Sequence, residues 1–130
     1  MSTDFGLIGA HISAEPITAP DIATAETGAV VVFDGIVRNH DSGRGVKLLT
    51  YTAHPSAQEE IERVAADVAA AFPAVRLWCA HRTGTLEIGE SAFIVAASSA
   101  HRKDAFEAAS TCADRVKAEV PIWKEQLHTD

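Results

Sequence analysis

The sequence has 130 residues, 47% of them hydrophobic and 22% charged, with a net charge of −7. Those proportions fit one globular domain around a single core and exclude a disordered chain. No run approaches the roughly eighteen consecutive apolar residues of a membrane-spanning helix, the opening MSTDFGLIGAHIS lacks the pattern of a signal peptide, and the acidic balance disfavours nucleic acid as a partner.

Along the chain, residues 5–13 read as a first strand. The segment PITAPDIATAET is expected to hold a short helix opening near Pro20, since proline suits a first helical turn. GAVVVFDGIV, residues 28–37, is β-branched and apolar and predicts a well-buried strand. The polar, glycine-bearing RNHDSGRG, residues 38–45, either turns a hairpin or lines a site. Residues 46–53, VKLLTYTA, read as the returning strand. Residues 54–72 are the clearest helix, with Ser56 as N-cap, Glu59 three residues on, and a stripe of Ile61, Val64, Ala65, Val68 and Phe72. Residues 75–84 form a strand, Gly84 a turn, LEIGES a further turn, and residues 92–100 another apolar strand. Residues 101–120 make a second long helix whose buried side holds Ala105, Phe106, Ala109, Cys112, Ala113 and Val116. PIWKEQL closes the chain as a short strand. This β-α-β-β-α-β-β-α-β order predicts an α+β single domain, residues 1–130, with a mixed, mostly antiparallel sheet and helices packed on it.

Cys79 and Cys112 stand outside any metal-ligand spacing and are expected to be buried free thiols of a cytoplasmic protein. His40, His54, His81, His101 and His128 are scattered without HxH or HExxH spacing, so neither a metal nor another cofactor is expected. Residues 1–27 hold four acids and no Lys or Arg, while the remainder carries all eleven basic side chains against fourteen acids. A local basic pocket for a small anion is therefore compatible with the overall charge.

Three segments concentrate polar groups. Arg38 directly follows an apolar strand, and a strand end is a rigid mount for a guanidinium aimed at phosphate or carboxylate; a solvated hairpin loop is the plain alternative. His101 and Arg102 open a helix, where two basic groups oppose the dipole unless an anion sits with them; a surface helix start with Asp104 as compensation is the alternative. In KAEVPIWK, residues 117–124, Pro121 ends the helix that carries Lys117. If the chain folds back there, Lys124 approaches Lys117. Two ammonium groups held close depress each other's pKa and leave one as a base or nucleophile. Otherwise Lys117 simply favours the helix C-terminus, and Trp123 and Lys124 are ordinary strand residues.

FDGIVRNH, LTYTAHPSAQEEI, HRTGTLEIGE, SSAHRKDAFEA and KAEVPIWKEQ occur in this order over roughly residues 28–126. Together they resemble the catalytic (large) subunit of molybdopterin synthase, the MoaE family. The resemblance implies an α/β hammerhead-type fold. It implies transfer of sulfur from the C-terminal Gly-Gly thiocarboxylate of a small ubiquitin-like partner to cyclic pyranopterin monophosphate, forming the dithiolene of molybdopterin. It also implies a homodimer within a heterotetramer. By the same resemblance Lys117 and Lys124 are the catalytic lysines, and Arg38, His101 and Arg102 hold the anionic substrate. Phe33 is a pocket wall in that scheme, or else plain core. Family members often continue with a polar tail bearing a further tryptophan and basic residues; the sequence given ends at Asp130, so contacts of that kind are expected to be absent or to come from elsewhere. Two rival functions stand beside this one. The first is a non-catalytic module that receives a ubiquitin-like tail, for which a second lysine is superfluous. The second is a small acylphosphatase-like hydrolase using Arg38 and Asn39.

Overall fold

The structure, a computed structural model, describes residues 6–129. Strand β1 (Gly6–Ser13) begins the first sheet, and Phe5, expected at its start, lies outside the described residues. β1 runs parallel to β5 (Arg76–Arg82). β5 pairs antiparallel with β7 (Ser91–Ser99), and β7 with β2 (Ala29–Ile36). The sheet order is thus β1-β5-β7-β2. The second sheet is built on β4 (Arg44–Ala53), to which β3 (His40–Asp41), β6 (Gly84–Glu87) and β8 (Ile122–His128) all pair antiparallel. Two helices, α1 (Ala57–Ala71) and α2 (Arg102–Glu119), complete the elements of the described residues. The expected mixed, mostly antiparallel α+β architecture is the one observed.

The main core lies between the helices and the first sheet. Ile61, Val64, Ala65 and Val68 of α1 and Ala105, Ala109, Cys112 and Val116 of α2 meet Leu77, Cys79, Val95 and Ala97 there. Each fully buried Val, Leu or Ile contributes about 1.5–3 kcal/mol relative to exposure. β7 is buried along nearly its whole length, which explains the unbroken apolar run AFIVAA. Cys79 and Cys112 are free and buried, as expected. Outside the core, Arg63 and Arg115 tie α1 to α2: Arg63 reaches Glu119 at 3.2 Å, and Arg115 reaches Asp67 at 3.2 Å and Glu119 at 2.6 Å. The two guanidinium groups hold the Glu119 carboxyl down at about 2. A smaller cluster of Val37, Leu49, Leu86 and Ala92, with Tyr51 against it, packs where the second sheet joins the first.

The structure departs from the sequence reading at six places. No helix forms near Pro20. The segment runs extended because the Ile22 carbonyl is taken by Ser98 Oγ at 2.8 Å and Arg76 Nε at 3.0 Å, and Ile22 itself is buried. A proline also biases the residue before it away from helix. β2 is an edge strand rather than a well-buried one: Val30 and Val32 are each 49% exposed. They sit in register with Ser98 and Ala96, on the sheet face away from the helices. β4 does not return along β2 but founds the second sheet. Ser56 makes no side-chain cap; its hydroxyl donates to His54 Nδ1 at 2.8 Å instead. Gly84, expected as a turn, instead opens the strand Gly84–Glu87, while the further turn expected over LEIGES forms at Ile88 and Gly89, the latter at φ +90°. Phe106, expected inside, is 59% exposed.

Candidate active site

Three local features aim the basic side chains. The first is the end of β2. Its register against β7 shifts between Gly35 and Ile36, and an irregularity of this kind bends a strand and re-aims the side chains beyond it. The Val37 N–H then donates to the Glu90 carbonyl at 3.0 Å, which secures the backbone beside Arg38. The second is the β3–β4 hairpin, turned by Ser42 (φ 51°) and Gly43 (φ +80°). Consecutive left-handed residues match the twist of a two-residue hairpin.

The third is the Pro121 break. Lys117 occupies the last turn of α2, where its charge suits the helix dipole. Val120 ends the helix in extended conformation, and the Pro121 carbonyl accepts the His54 N–H at 3.0 Å. The chain then reverses along β4, setting Lys124 opposite Tyr51. Lys117 and Lys124 consequently line the same cleft, of about 310 Å³, together with Arg38 and Phe33. They also share a smaller adjoining hollow of about 190 Å³ with Tyr51 and His81.

The cleft wall is aromatic. Phe33 meets Phe93 edge-on at 5.8 Å, and Phe93 stacks on His81 at 5.3 Å. Tyr51 stands edge-on to His81 at 4.7 Å. His81 is only 7% exposed, and its Nδ1–H donates to the Arg82 carbonyl at 2.8 Å. That bond selects the tautomer in which Nε2 carries the lone pair. Burial holds the His81 imidazole below its ordinary value; the hydrogen bond to Arg82 opposes this, and the Lys117 ammonium pushes the same way as burial. Burial also raises the Tyr51 hydroxyl. The site therefore combines exposed cations at its mouth with neutral proton-bearing groups on its wall. At the mouth, Asp41 lies 3.8 Å from Arg38 and 3.7 Å from Lys124, and Gln126 Nε2 donates to it at 2.7 Å.

Arg38, Phe33, Lys117 and Lys124 thus come together from β2, the loop after it, α2 and β8. His101 and Arg102 do not join them. They line a separate hollow at the start of α2 with Lys103, Phe106 and Glu107. Asn39 faces its neighbour, accepting from His40 Nδ1 at 3.0 Å. His81, Tyr51, Asp41 and Gln126 are cleft residues that sequence reasoning does not single out. For His81 a signal exists: a titratable pair, His81 and Arg82, follows the apolar run Leu77–Ala80 at the end of β5. For Tyr51 and Gln126 the signal emerges only with the pairing of β4 and β8.

Comparison with known proteins decides the family. A model of the MoaE protein family matches residues 9–119. The chain belongs to the MoaE family. Among the family's molybdopterin synthase catalytic subunits, one from Pyrococcus abyssi is 39% identical over 107 residues, covering 82% of this chain and 72% of that protein. Catalytic subunit 1 from Mycobacterium tuberculosis is 36% identical over 122 residues, covering 90% and 83%. A molybdopterin synthase crystal structure from Staphylococcus aureus superimposes with a TM-score of 0.83 at 32% identity, covering 100% of this chain and 95% of that one. A complex of subunits 1 and 2 of molybdopterin-converting factor from Helicobacter pylori gives 0.66 at 28% identity, covering 80% and 68%. The MoaE match ends two residues beyond Lys117, so β8 and Lys124 lie outside it.

Proposed function

We propose that this MoaE-family chain is the catalytic subunit of a molybdopterin synthase, acting as one domain in the cytoplasm. It moves sulfur from the C-terminal thiocarboxylate of a small ubiquitin-like partner to cyclic pyranopterin monophosphate. The observation that carries the reading is the convergence of Lys117, Lys124 and Arg38 on one cleft. Substrate and sulfur donor are both anionic, and bringing them together costs Coulomb energy that these cations offset.

The sulfur attacks a substrate carbon as its oxygen departs with a proton. Water then cleaves the bond between the tail carbonyl and the sulfur, returning the tail as a carboxylate and leaving the sulfur on the pterin. Repetition at the neighbouring carbon completes the dithiolene. Each round needs a proton delivered to the departing oxygen and one removed from water. In this reading Lys117 exchanges those protons, Lys124 neutralises charge and positions the reactants, and Arg38 holds the phosphate. The aromatic wall, including Phe33, excludes water from one side.

The reading includes a homodimer. Val30, Val32 and Ile36 on the β2 edge strand present exposed apolar side chains that favour a second copy. His101 and Arg102, remote from their own cleft, serve substrate binding across that dimer. The rival functions lose support on particular residues. A pure docking module has no use for the second cleft lysine, and an acylphosphatase-like mechanism lacks Asn39 in the cleft.

Reconstitution tests the proposal. The chain is mixed with thiocarboxylated partner and cyclic pyranopterin monophosphate, and dithiolene is assayed. Product is expected; a tight partner complex that forms no product would overturn the catalytic reading in favour of the docking module.

A further inference from the structure

His81 is a titratable cleft group to which sulfur transfer by the lysines assigns no step. It sits near the end of β5, the strand held between β1 and β7, with Ile12 and Phe93 as its register partners. Three contacts lock its ring. Phe93 stacks on it at 5.3 Å, Tyr51 meets it edge-on at 4.7 Å, and Nδ1–H donates to the Arg82 carbonyl at 2.8 Å. Arg82 is anchored in turn, since its side chain is buried and paired with Glu90 at 2.9 Å.

With Nδ1 committed, the lone pair is on Nε2. Among the described residues no hydrogen-bond donor takes it. Nor is it walled off, because the one sealed and unpartnered side-chain polar atom among those residues is Arg82 Nε. His81 Nε2 therefore opens on the space that the ring lines. That space is the cleft and its adjoining hollow of about 190 Å³, and Tyr51, Lys117 and Lys124 line both with it. A water needs roughly 10–15 Å³ and a few polar partners, so the hollow has room and partners for several. Burial first, and the Lys117 ammonium as a lesser push, hold the imidazole below its ordinary value against the Arg82 bond, so it is neutral at pH 7 and free to accept a proton.

We propose that His81 is a catalytic residue of the release step, the general base whose Nε2 takes a proton from the water that cleaves the tail carbonyl–sulfur bond. The proposal rests on the synthase reading and divides the proton transfers of that reading between two groups. In the first half of a round the thiocarboxylate sulfur bonds to the substrate carbon, the carbon–oxygen bond breaks, and the Lys117 ammonium protonates the departing oxygen. Lys117 is left as an amine. In the second half the water oxygen bonds to the tail carbonyl carbon and its proton passes to His81 Nε2. The carbon–sulfur bond then breaks with its electron pair on sulfur. The pterin keeps a thiolate, and the tail leaves as a carboxylic acid that loses its proton to solvent. Across the hollow they both line, the His81 imidazolium returns its proton to the Lys117 amine, the stronger base of the two. Both groups are then in their starting state.

The test uses the full chain with thiocarboxylated partner and cyclic pyranopterin monophosphate, acid-quenched through a single round and read by intact-mass spectrometry of the partner. The species sought is the conjugate, the partner tail joined through sulfur to the pterin. His81→Asn keeps an amide N–H for the Arg82 carbonyl and lacks the base. His81→Phe keeps a ring against Phe93 and Tyr51. In both, the conjugate is expected to form at a rate near that of the wild type, and its release to slow by about 100-fold or more. Lys117→Ala is expected to form no conjugate; a conjugate building up there instead would overturn the division of roles. Dithiolene formed at the wild-type rate by the His81 variants would overturn the proposal. Equal slowing of both halves would do so too, as that is the pattern of a ring that merely props the cleft wall. Should one variant fold poorly, the other carries the same expectation. Wild type forming neither conjugate nor dithiolene would overturn the synthase reading and this step with it. That result is distinct from an active wild type whose His81 variants release the tail normally, which overturns the proposal alone.

Discussion

Replacing Lys117 by alanine separates chemistry from folding, because the side chain stands at the boundary of the two. Val116, its neighbour, is buried in the main core, whereas Lys117 is exposed at the end of α2 and lines the cleft. Truncation therefore removes no core contact. It does remove a cation from the last helical turn, which costs about 0.3–1 kcal/mol, and alanine's helix propensity offsets part of that. The net loss of stability is expected to stay below about 1 kcal/mol, a fall in melting temperature of at most about 4 °C for a domain of this size. The catalytic loss is much larger. A positioned general acid or base contributes about 10²- to 10⁴-fold, equivalent to about 2.7–5.5 kcal/mol of barrier. The assay is single-turnover dithiolene formation with saturating thiocarboxylated partner, alongside thermal melting and partner-binding measurements on the same preparation. A drop in rate of about 100-fold or more, with melting and partner affinity nearly intact, is the expected pattern. Unimpaired turnover would refute the role of Lys117, and so would an activity loss that merely tracks unfolding.

The same geometry sets four further outcomes. Arg102→Ala is expected to raise KM for the pterin with little change in kcat; an unchanged KM would reduce His101 and Arg102 to a helix start. Val32→Asp, placed on the exposed face of the β2 edge, is expected to convert a dimer sedimenting at micromolar concentration into monomers, and a wild-type monomer would remove the basis for that surface. Gly28→Ala is expected to cost about 1–3 kcal/mol by overpacking, because its Cβ would lie 2.2 Å from the Ala100 carbonyl oxygen, a backbone atom unable to swing away; an unaltered urea midpoint would contradict this. His81→Phe is expected to flatten the pH dependence of stability between about pH 5.5 and 7.5. Burial lowers the folded-state value of His81, so below the ordinary imidazole range the unfolded chain binds the extra proton. Wild-type stability then rises with pH through that range and levels off above it. An identical slope in His81→Phe, read from urea unfolding, would show that His81 is not the linked group.

Much of this molecule is written in local pattern. The helical stripe from Ile61 to Val68, the apolar run of β7 and the stop at Pro121 each follow from periodicity or from proline's missing N–H, and each stands in the structure where those rules put it. The lysines flanking Pro121 are legible for the same reason, since a broken helix has to turn. Where local pattern misleads, the cause is a distant partner. GAVVVFDGIV is apolar enough for a central strand, yet among the described residues β2 pairs with β7 alone and takes the edge. PITAPDIATAET has acceptable helix signals, but the Ile22 carbonyl is claimed by Ser98 and Arg76 from distant strands. Phe106 fits the spacing of a buried helix face and still faces outward.

Local sequence is thus enough to say which segments can be helices or strands, where α2 must end, and which residues carry charge near that end. It takes tertiary contacts to set Asp41 between Arg38 and Lys124, to bring His81 beside Tyr51 and Phe93, and to hold His101 and Arg102 apart from their own cleft. Helix stops and strand runs arise from interactions among residues a few positions apart, so they are visible locally. The cleft is assembled by strand pairing and helix packing between segments tens of residues apart, and that pairing is chosen by the burial of the whole core rather than by any one segment.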